Sequence, residues 1–126
     1  MSHIVTVKTR VTDPVALSAA CRRLGLAEPV TGTATLFSAE AAGLIVNLPG
    51  WHYPVVADTR SGEIKFDNYN EAWGKQSELD KLLQGYAVEK AKLEARRVGH
   101  SVTEQALSNG AIKLTVHVGG TIGGAA

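Results

Sequence analysis

Short β-prone runs joined by turn residues fill much of this sequence, and they leave few folds open to it. Three hairpins are predicted, at residues 33–37 with 43–48, 53–57 with 63–66, and 102–107 with 111–118. The turn Ser108-Asn109-Gly110 gives the strongest hairpin signal, because Asn-Gly readily adopts the positive φ angles of a tight turn. Since hairpins join antiparallel neighbours, we expect a mainly antiparallel sheet.

Two segments with helical periodicity separate these strands. Asp13 can cap the first helix, Pro14 suits its first position because a missing N–H costs nothing there, and Gly25 can end it. The second helix is predicted from Ser77 to about Val98 and carries a long apolar stripe. Two helices among hairpins place the chain in the α+β class.

An alternating run at residues 3–11 predicts a strand before the first helix, which gives the order β-α-β-β-β-β-α-β-β. We expect one mainly antiparallel sheet of about six to seven strands with both helices on one face. A chain of 126 residues has the usual size of one domain, so residues 1–118 are predicted to form a single domain and residues 119–126 a flexible glycine-rich tail. The apolar run 44–46 indicates either a covered sheet centre or a contact in a homodimer.

The composition argues against several classes of protein. Thirteen Lys and Arg against twelve Asp and Glu leave a charge of +1, so no overall field attracts nucleic acid or an anionic membrane. No apolar run approaches the roughly 20 residues that span a bilayer, and the start MSHIVTVKTR lacks a secretory apolar region. A single cysteine cannot form an internal disulfide. We therefore expect a cytoplasmic protein that does not bind membranes.

Metal binding and catalysis have little support in the sequence. The four histidines, His3, His52, His100 and His117, do not have the spacing that brings two ligands together on a helix or strand. Cys21 falls in the apolar stripe of the first helix, which favours core packing over reactivity. We expect no metal, no cofactor and no catalytic residue.

The most prominent feature is an aromatic and polar cluster on two predicted loops. Its members are Trp51, His52, Tyr53, Asp67, Asn68, Tyr69 and Trp73. Because Trp and Tyr combine a large apolar body with a polar tip, such a cluster is typical of a surface that binds a protein partner. Two alternatives stay open. The tryptophans could plug the ends of the sheet, or Asp67 and His52 could act as acid and base beside a small-ligand pocket.

Basic residues on the second helix offer a weaker alternative, nucleic-acid binding. They are Lys81, Lys90, Lys92, Arg96 and Arg97. Because Glu89 and Glu94 are interleaved with them, ion pairing at i,i+3 and i,i+4 on a solvated face is the favoured interpretation. Nucleic acid is therefore not expected as a partner.

Several short motifs resemble those of a known family. They are Ser2-His3-Ile4-Val5, Asp13-Pro14-Val15-Ala16-Leu17, Leu48-Pro49-Gly50-Trp51, Tyr53-Pro54-Val55-Val56, Asp67-Asn68-Tyr69, Trp73-Gly74 and residues 86–92. On these motifs the chain to about Val118 resembles the DUF1257 family of bacterial and plastid proteins of unknown function. The resemblance implies no reaction, cofactor or catalytic residue. It does imply an accessory or adaptor role beside an AAA-type ATPase, because family members can be encoded near such enzymes.

Overall fold

The computed structural model describes residues 5–7 and 10–119, with two helices and seven strands. The elements are β1 (Val5–Val7), α1 (Pro14–Arg23), β2 (Val30–Thr35), β3 (Glu40–Val46), β4 (Val55–Asp58), β5 (Glu63–Phe66), α2 (Gln76–Arg97), β6 (Ser101–Ala106) and β7 (Ile112–His117). The predicted tail lies outside the described residues apart from Gly119, as do residues 3, 4, 8 and 9 of the predicted first strand. Neither described helix is long and apolar enough to cross a membrane.

The strands form two antiparallel sheets. The larger has the order β1-β5-β4-β3-β2, and the smaller contains only β6 and β7. The α+β class is therefore confirmed, but the single sheet of six to seven strands is wrong. The reason is that the β6–β7 hairpin packs on α2 instead of joining the larger sheet. Gln84 of α2 holds the hairpin turn, since its Nε2 donates to the carbonyl oxygen of Gly110 at 3.0 Å.

The β2–β3 hairpin is tighter than predicted. The N–H of Leu36 donates to the carbonyl oxygen of Ala39 at 2.8 Å, so only Phe37 and Ser38 form the turn. Thr35 pairs with Glu40, and the remaining residues of β2 pair in register with β3. The predicted loop at 38–42 is thus wrong, because the pairing continues through three of its residues.

Both helices pack against one face of the larger sheet. The core there contains Ala16, Leu17, Ala20 and Cys21 of α1, Leu79, Leu82 and Tyr86 of α2, and Val46, Val55, Ala57, Ile64 and Phe66 of the strands. Each large apolar side chain buried in this way contributes about 1.5–3 kcal/mol. We call the sheet face under the helices the helix face and the opposite one the outer face.

The outer face has a smaller core of its own. Leu36, Ala41 and Val56 are buried there, with Ala34, Ile45 and Tyr53 packed against them. Val46 therefore faces the helices, whereas Ile45 faces the second core. The apolar run 44–46 is explained by these two cores within one chain, as a covered sheet centre.

The backbone N–H groups at the starts of the two helices find hydrogen-bond acceptors in different ways. Asp13 Oδ1 accepts hydrogen bonds from the N–H groups of Val15 at 2.9 Å and Ala16 at 3.3 Å, as the predicted cap requires. The second helix begins at Gln76, one residue earlier than predicted. Its first N–H donates to Glu71 Oε1 at 3.0 Å, so the preceding loop is anchored to α2.

Candidate functional site

Four rings surround Trp73 beside the outer face. Their centroids lie 4.8 Å from that of Trp73 for Tyr69, 5.2 Å for Phe37, 5.5 Å for Tyr53 and 5.6 Å for His52. We call these five residues the aromatic patch. The structure thus brings together His52, Tyr53, Tyr69 and Trp73, which the sequence indicated. It adds Phe37 from the β2–β3 turn, which sequence reasoning missed because the residue is distant along the chain.

The aromatic patch has a half-buried base and an exposed rim. Tyr53 packs against the outer-face core, and Trp73 is half-buried. Phe37 is 54% exposed and Tyr69 is 40% exposed, although both are large and apolar. The patch therefore presents apolar area to solvent from a fixed support.

The loop that carries Tyr69 has an unusual backbone. Tyr69, Asn70 and Glu71 are consecutive residues with φ angles of 48°, 51° and 73°. The left-handed region costs an L-residue roughly 1–2 kcal/mol, and a bulky side chain rarely adopts it. Backbone strain of this kind persists only where the surrounding structure enforces it.

Backbone hydrogen bonds enforce this conformation. The N–H of Ala72 donates to the carbonyl oxygen of Tyr69 at 3.0 Å, and the N–H of Trp73 donates to that of Asn68 at 2.9 Å. The N–H of His52 donates to the carbonyl oxygen of Trp73 at 2.7 Å. The last bond joins the two loops that carry the patch, so their rings are held in one arrangement.

Asp67 and Asn68 lie beneath the loop and do not belong to its exposed surface. Asp67 is fully buried, and its Oδ1 accepts a hydrogen bond from the N–H of Tyr69 at 3.3 Å. Its Oδ2 has no hydrogen-bond partner among the described residues. The described part of the structure shows no hydrogen bond between Asp67 and His52, so their acid–base pairing stays a prediction.

Trp51 lies apart from the aromatic patch and packs in the helix-face core. Its ring meets Phe66 edge-on at a centroid distance of 5.7 Å, and its Nε1 donates to the carbonyl oxygen of Lys75 at 3.1 Å. The ring also lies directly on Gly74, where an added Cβ would come within 2.4 Å of it. The interpretation that a tryptophan plugs the end of the sheet fits Trp51, and the predicted cluster divides into two parts.

Most of the basic residues on α2 form ion pairs. The pairs are Lys81 with Glu78 at 3.2 Å, Lys90 with Asp13 at 3.1 Å and Glu94 at 2.9 Å, Lys92 with Glu104 at 2.8 Å and Glu89 at 3.6 Å, and Arg97 with Glu94 at 3.3 Å. Three acidic partners lie on α2 itself, so the predicted i,i+3 and i,i+4 pairing is confirmed. Hydrogen bonds from Arg23 and Lys92 lower the pKa of Glu104 to about 2.

The remaining candidates are the thiol of Cys21 and the side chains that could bind a metal ion. Cys21 is buried in the helix-face core, and its burial raises the pKa of the thiol to about 11. In the part of the chain that the structure describes, no three His, Cys, Asp or Glu side chains are placed to hold a metal ion.

A groove of about 590 Å³ lies on the helix face of β2 and β3, lined by Thr31, Thr33, Ala42, Leu44, Asp58 and Arg60 among others. It is separate from the aromatic patch.

Comparisons with known proteins return no relative. No protein-family model, no curated protein and no solved structure matches this chain. The resemblance to the DUF1257 family therefore stays a prediction, and so does the AAA-type ATPase as a partner.

Proposed function

We propose that the protein is a non-enzymatic adaptor that binds a protein partner through the aromatic patch. The observation that carries the proposal is the convergence of four rings on Trp73, with Phe37 and Tyr69 exposed at the rim. Aromatic side chains dominate the binding energy of protein interfaces because each removes a large area from water at a small cost in side-chain entropy. A half-buried base with exposed rings at its rim has the form of such a hot spot.

The strained loop supports the same proposal. Binding normally costs free energy to order the side chains and loops of the interface. Here the backbone at Tyr69, Asn70 and Glu71 is already fixed by hydrogen bonds from Ala72 and Trp73. The patch is therefore organised before a partner arrives, and its strain is of the kind that concentrates at functional sites.

The partner that we propose is an AAA-type ATPase, on the strength of the family resemblance alone. Substrate turnover is not part of the proposal, since Cys21 is buried and Asp67 bonds to a backbone N–H. Nucleic acid is not proposed either, because most of the cations on α2 are engaged in ion pairs. A homodimer, which the sequence left open, is compatible with an adaptor role.

The test removes the exposed rim and leaves the base intact. The double variant Phe37→Ala, Tyr69→Ala is compared with the wild type and with Val116→Ala, whose side chain is 51% exposed on β7. Each protein captures partners from a lysate of the native cells, and bound proteins are quantified by mass spectrometry. We expect wild type and Val116→Ala to enrich an AAA-type ATPase. The double variant should capture at least about tenfold less of it, because removal of hot-spot residues weakens binding by that much or more.

Equal capture by all three proteins would show that the patch is not the docking surface. Circular dichroism and the urea midpoint must stay unchanged in the double variant, so that lost capture cannot come from unfolding. Trp51 is left unchanged, because it packs on Phe66 in the helix-face core and its removal would weaken the fold.

A further inference from the structure

Strand β2 forms an edge of the larger sheet, and the direction of its backbone groups can be derived. Leu36 donates its N–H to Ala39, so these two residues are a hydrogen-bonded pair of the β2–β3 hairpin. In an antiparallel ladder such pairs alternate with pairs that exchange no hydrogen bond. Because the register is regular along β2, its even-numbered residues bond to β3. The backbone groups of its odd-numbered residues point away from β3.

The three odd-numbered residues are all threonines. Thr31, Thr33 and Thr35 direct their N–H and carbonyl groups to the open edge, and β2 has only β3 as a neighbour among the described strands. Unpaired backbone groups in a row form a template for another extended chain. The open edge of β2 is therefore competent to bind a strand.

This edge lacks the features that normally prevent strand pairing. Monomeric proteins protect edge strands with charged residues, proline or a bulge. β2 has the sequence VTGTAT, which contains no charge and no proline. The strands of the smaller sheet, in contrast, carry Glu104, Lys113 and His117. The edge of β2 is therefore better suited to pairing than either edge of the smaller sheet.

We propose that β2 pairs with β2 of a second copy of this chain, antiparallel about a two-fold axis at Thr33. Thr33 then lies opposite Thr33 of the second copy, and Thr31 lies opposite Thr35 of the second copy. Each of these pairs joins two residues with outward backbone groups, so each exchanges two hydrogen bonds. The two five-stranded sheets become one continuous sheet.

The side chains favour a second copy over a foreign strand. The outward residues are symmetric about Thr33, so self-pairing gives a hydrogen-bond partner to all of their outward N–H and carbonyl groups. It also forms Thr–Thr pairs, which stabilise neighbouring strands. Val30, which is 63% exposed, comes to lie opposite Leu36 of the second copy. No charged residue occurs between these two positions, so self-pairing opposes no like charges. The proposal does not depend on the adaptor function, because the aromatic patch uses other residues.

The decisive test places charges at the two-fold axis. Light scattering and sedimentation should give the wild type twice the monomer mass of 13.3 kDa. Thr33→Lys and Thr33→Glu should each be monomeric, because like charges meet across the axis. An equimolar mixture of the two variants should restore the dimer, since opposite charges then face each other. Thr33→Val is the control and should remain dimeric.

A second variant tests the backbone bonds directly. Thr33→Pro removes an outward N–H and spares the bonds to β3, so it should be monomeric with unchanged circular dichroism. Amide hydrogens of Thr31 and Thr35 should exchange slowly in the wild type and at least about tenfold faster in Thr33→Lys. A monomeric wild type would overturn the proposal. So would a dimer that persists in Thr33→Pro, or one that persists in both charged variants.

Discussion

The hydroxyl oxygen of Tyr86 accepts a hydrogen bond from the backbone N–H of Asp13 at 3.1 Å. It accepts a second one from the N–H of Thr12, also at 3.1 Å. Tyr86 belongs to α2, whereas both N–H groups precede α1, and Lys90 binds the Asp13 carboxylate one turn further along α2. Polar groups of α2 therefore fix the start of α1 above the sheet.

Replacing Tyr86 by Phe should destabilise the protein by about 1–3 kcal/mol, because two partly buried N–H groups lose their acceptor. Urea unfolding followed by circular dichroism measures the change. Tyr69→Phe is the matched control, since no hydrogen bond to its hydroxyl is found in the described part of the structure and its ring is 40% exposed. Similar midpoints for the two variants would mean that the hydroxyl of Tyr86 adds nothing.

Gly43 and Gly32 face each other across β2 and β3, but only Gly43 should resist substitution. A Cβ at Gly43 would lie 2.4 Å from the carbonyl oxygen of Ala57, whereas a Cβ at Gly32 would meet Ile45 at an ordinary 3.5 Å. Gly43→Ala should cost about 1–3 kcal/mol, and Gly32→Ala should be neutral or slightly stabilising. Thermal unfolding of both variants, each made in the Thr33→Lys background to exclude self-association, tests this difference.

The ion pairs of Glu104 should contribute to stability in a pH-dependent way. Arg23 and Lys92 lower the pKa of Glu104 from 4.5 to about 2 in the folded protein. Because the folded pKa is the lower one, the contribution is complete above about pH 4.5 and is lost as the pH falls toward about 2. At neutral pH the free energy of unfolding of the wild type should exceed that of Glu104→Gln by up to about 1 kcal/mol.

Urea unfolding of wild type and Glu104→Gln from pH 7 to pH 2 measures this contribution. The difference in free energy of unfolding between the two proteins should be constant near pH 7 and should vanish near pH 2. High salt should reduce it at neutral pH, because the pairs are partly exposed. A difference that grows as the pH falls would contradict the assignment.

The thiol of Cys21 should be protected in the native state. Burial raises its pKa to about 11 and excludes reagents, so little thiolate is present or accessible at mildly alkaline pH. Labelling with a thiol-reactive dye at pH 8 should be at least about tenfold slower in native protein than in urea. Equal rates in the two conditions would show that α1 opens readily.

Local sequence signals were sufficient for the helices and for the existence of the hairpins, but not for the length of the β2–β3 turn. The Asp13 cap and the Asn-Gly turn of β6–β7 act within a few residues, so each can be recognised without knowledge of the rest of the fold. The division into two sheets is not visible in the sequence. It depends on contacts such as those of Glu104 with Arg23 and Lys92, which join residues distant along the chain.

Four of the five aromatic-patch residues were predictable from the sequence, but their arrangement was not. Trp51 and Trp73 both lie in loops rich in aromatic and polar residues, yet the structure sends one into the core and the other to the aromatic patch. Side-chain direction in such loops depends on backbone angles like the left-handed run at Tyr69–Glu71, for which the sequence gives no signal. Phe37 could not be assigned because only the tight β2–β3 turn carries it to Trp73.

The separation of the two tryptophans gives the molecule two independent optical reporters. Trp51 lies in the core beside Phe66. The fluorescence of a Trp73→Phe protein should therefore change on cooperative unfolding and stay unchanged when a partner binds the aromatic patch. Trp73 is stacked among surface rings, so a Trp51→Phe protein should change its fluorescence when a partner covers Tyr69. Stability and recognition can therefore be followed separately in the same chain, without any attached dye.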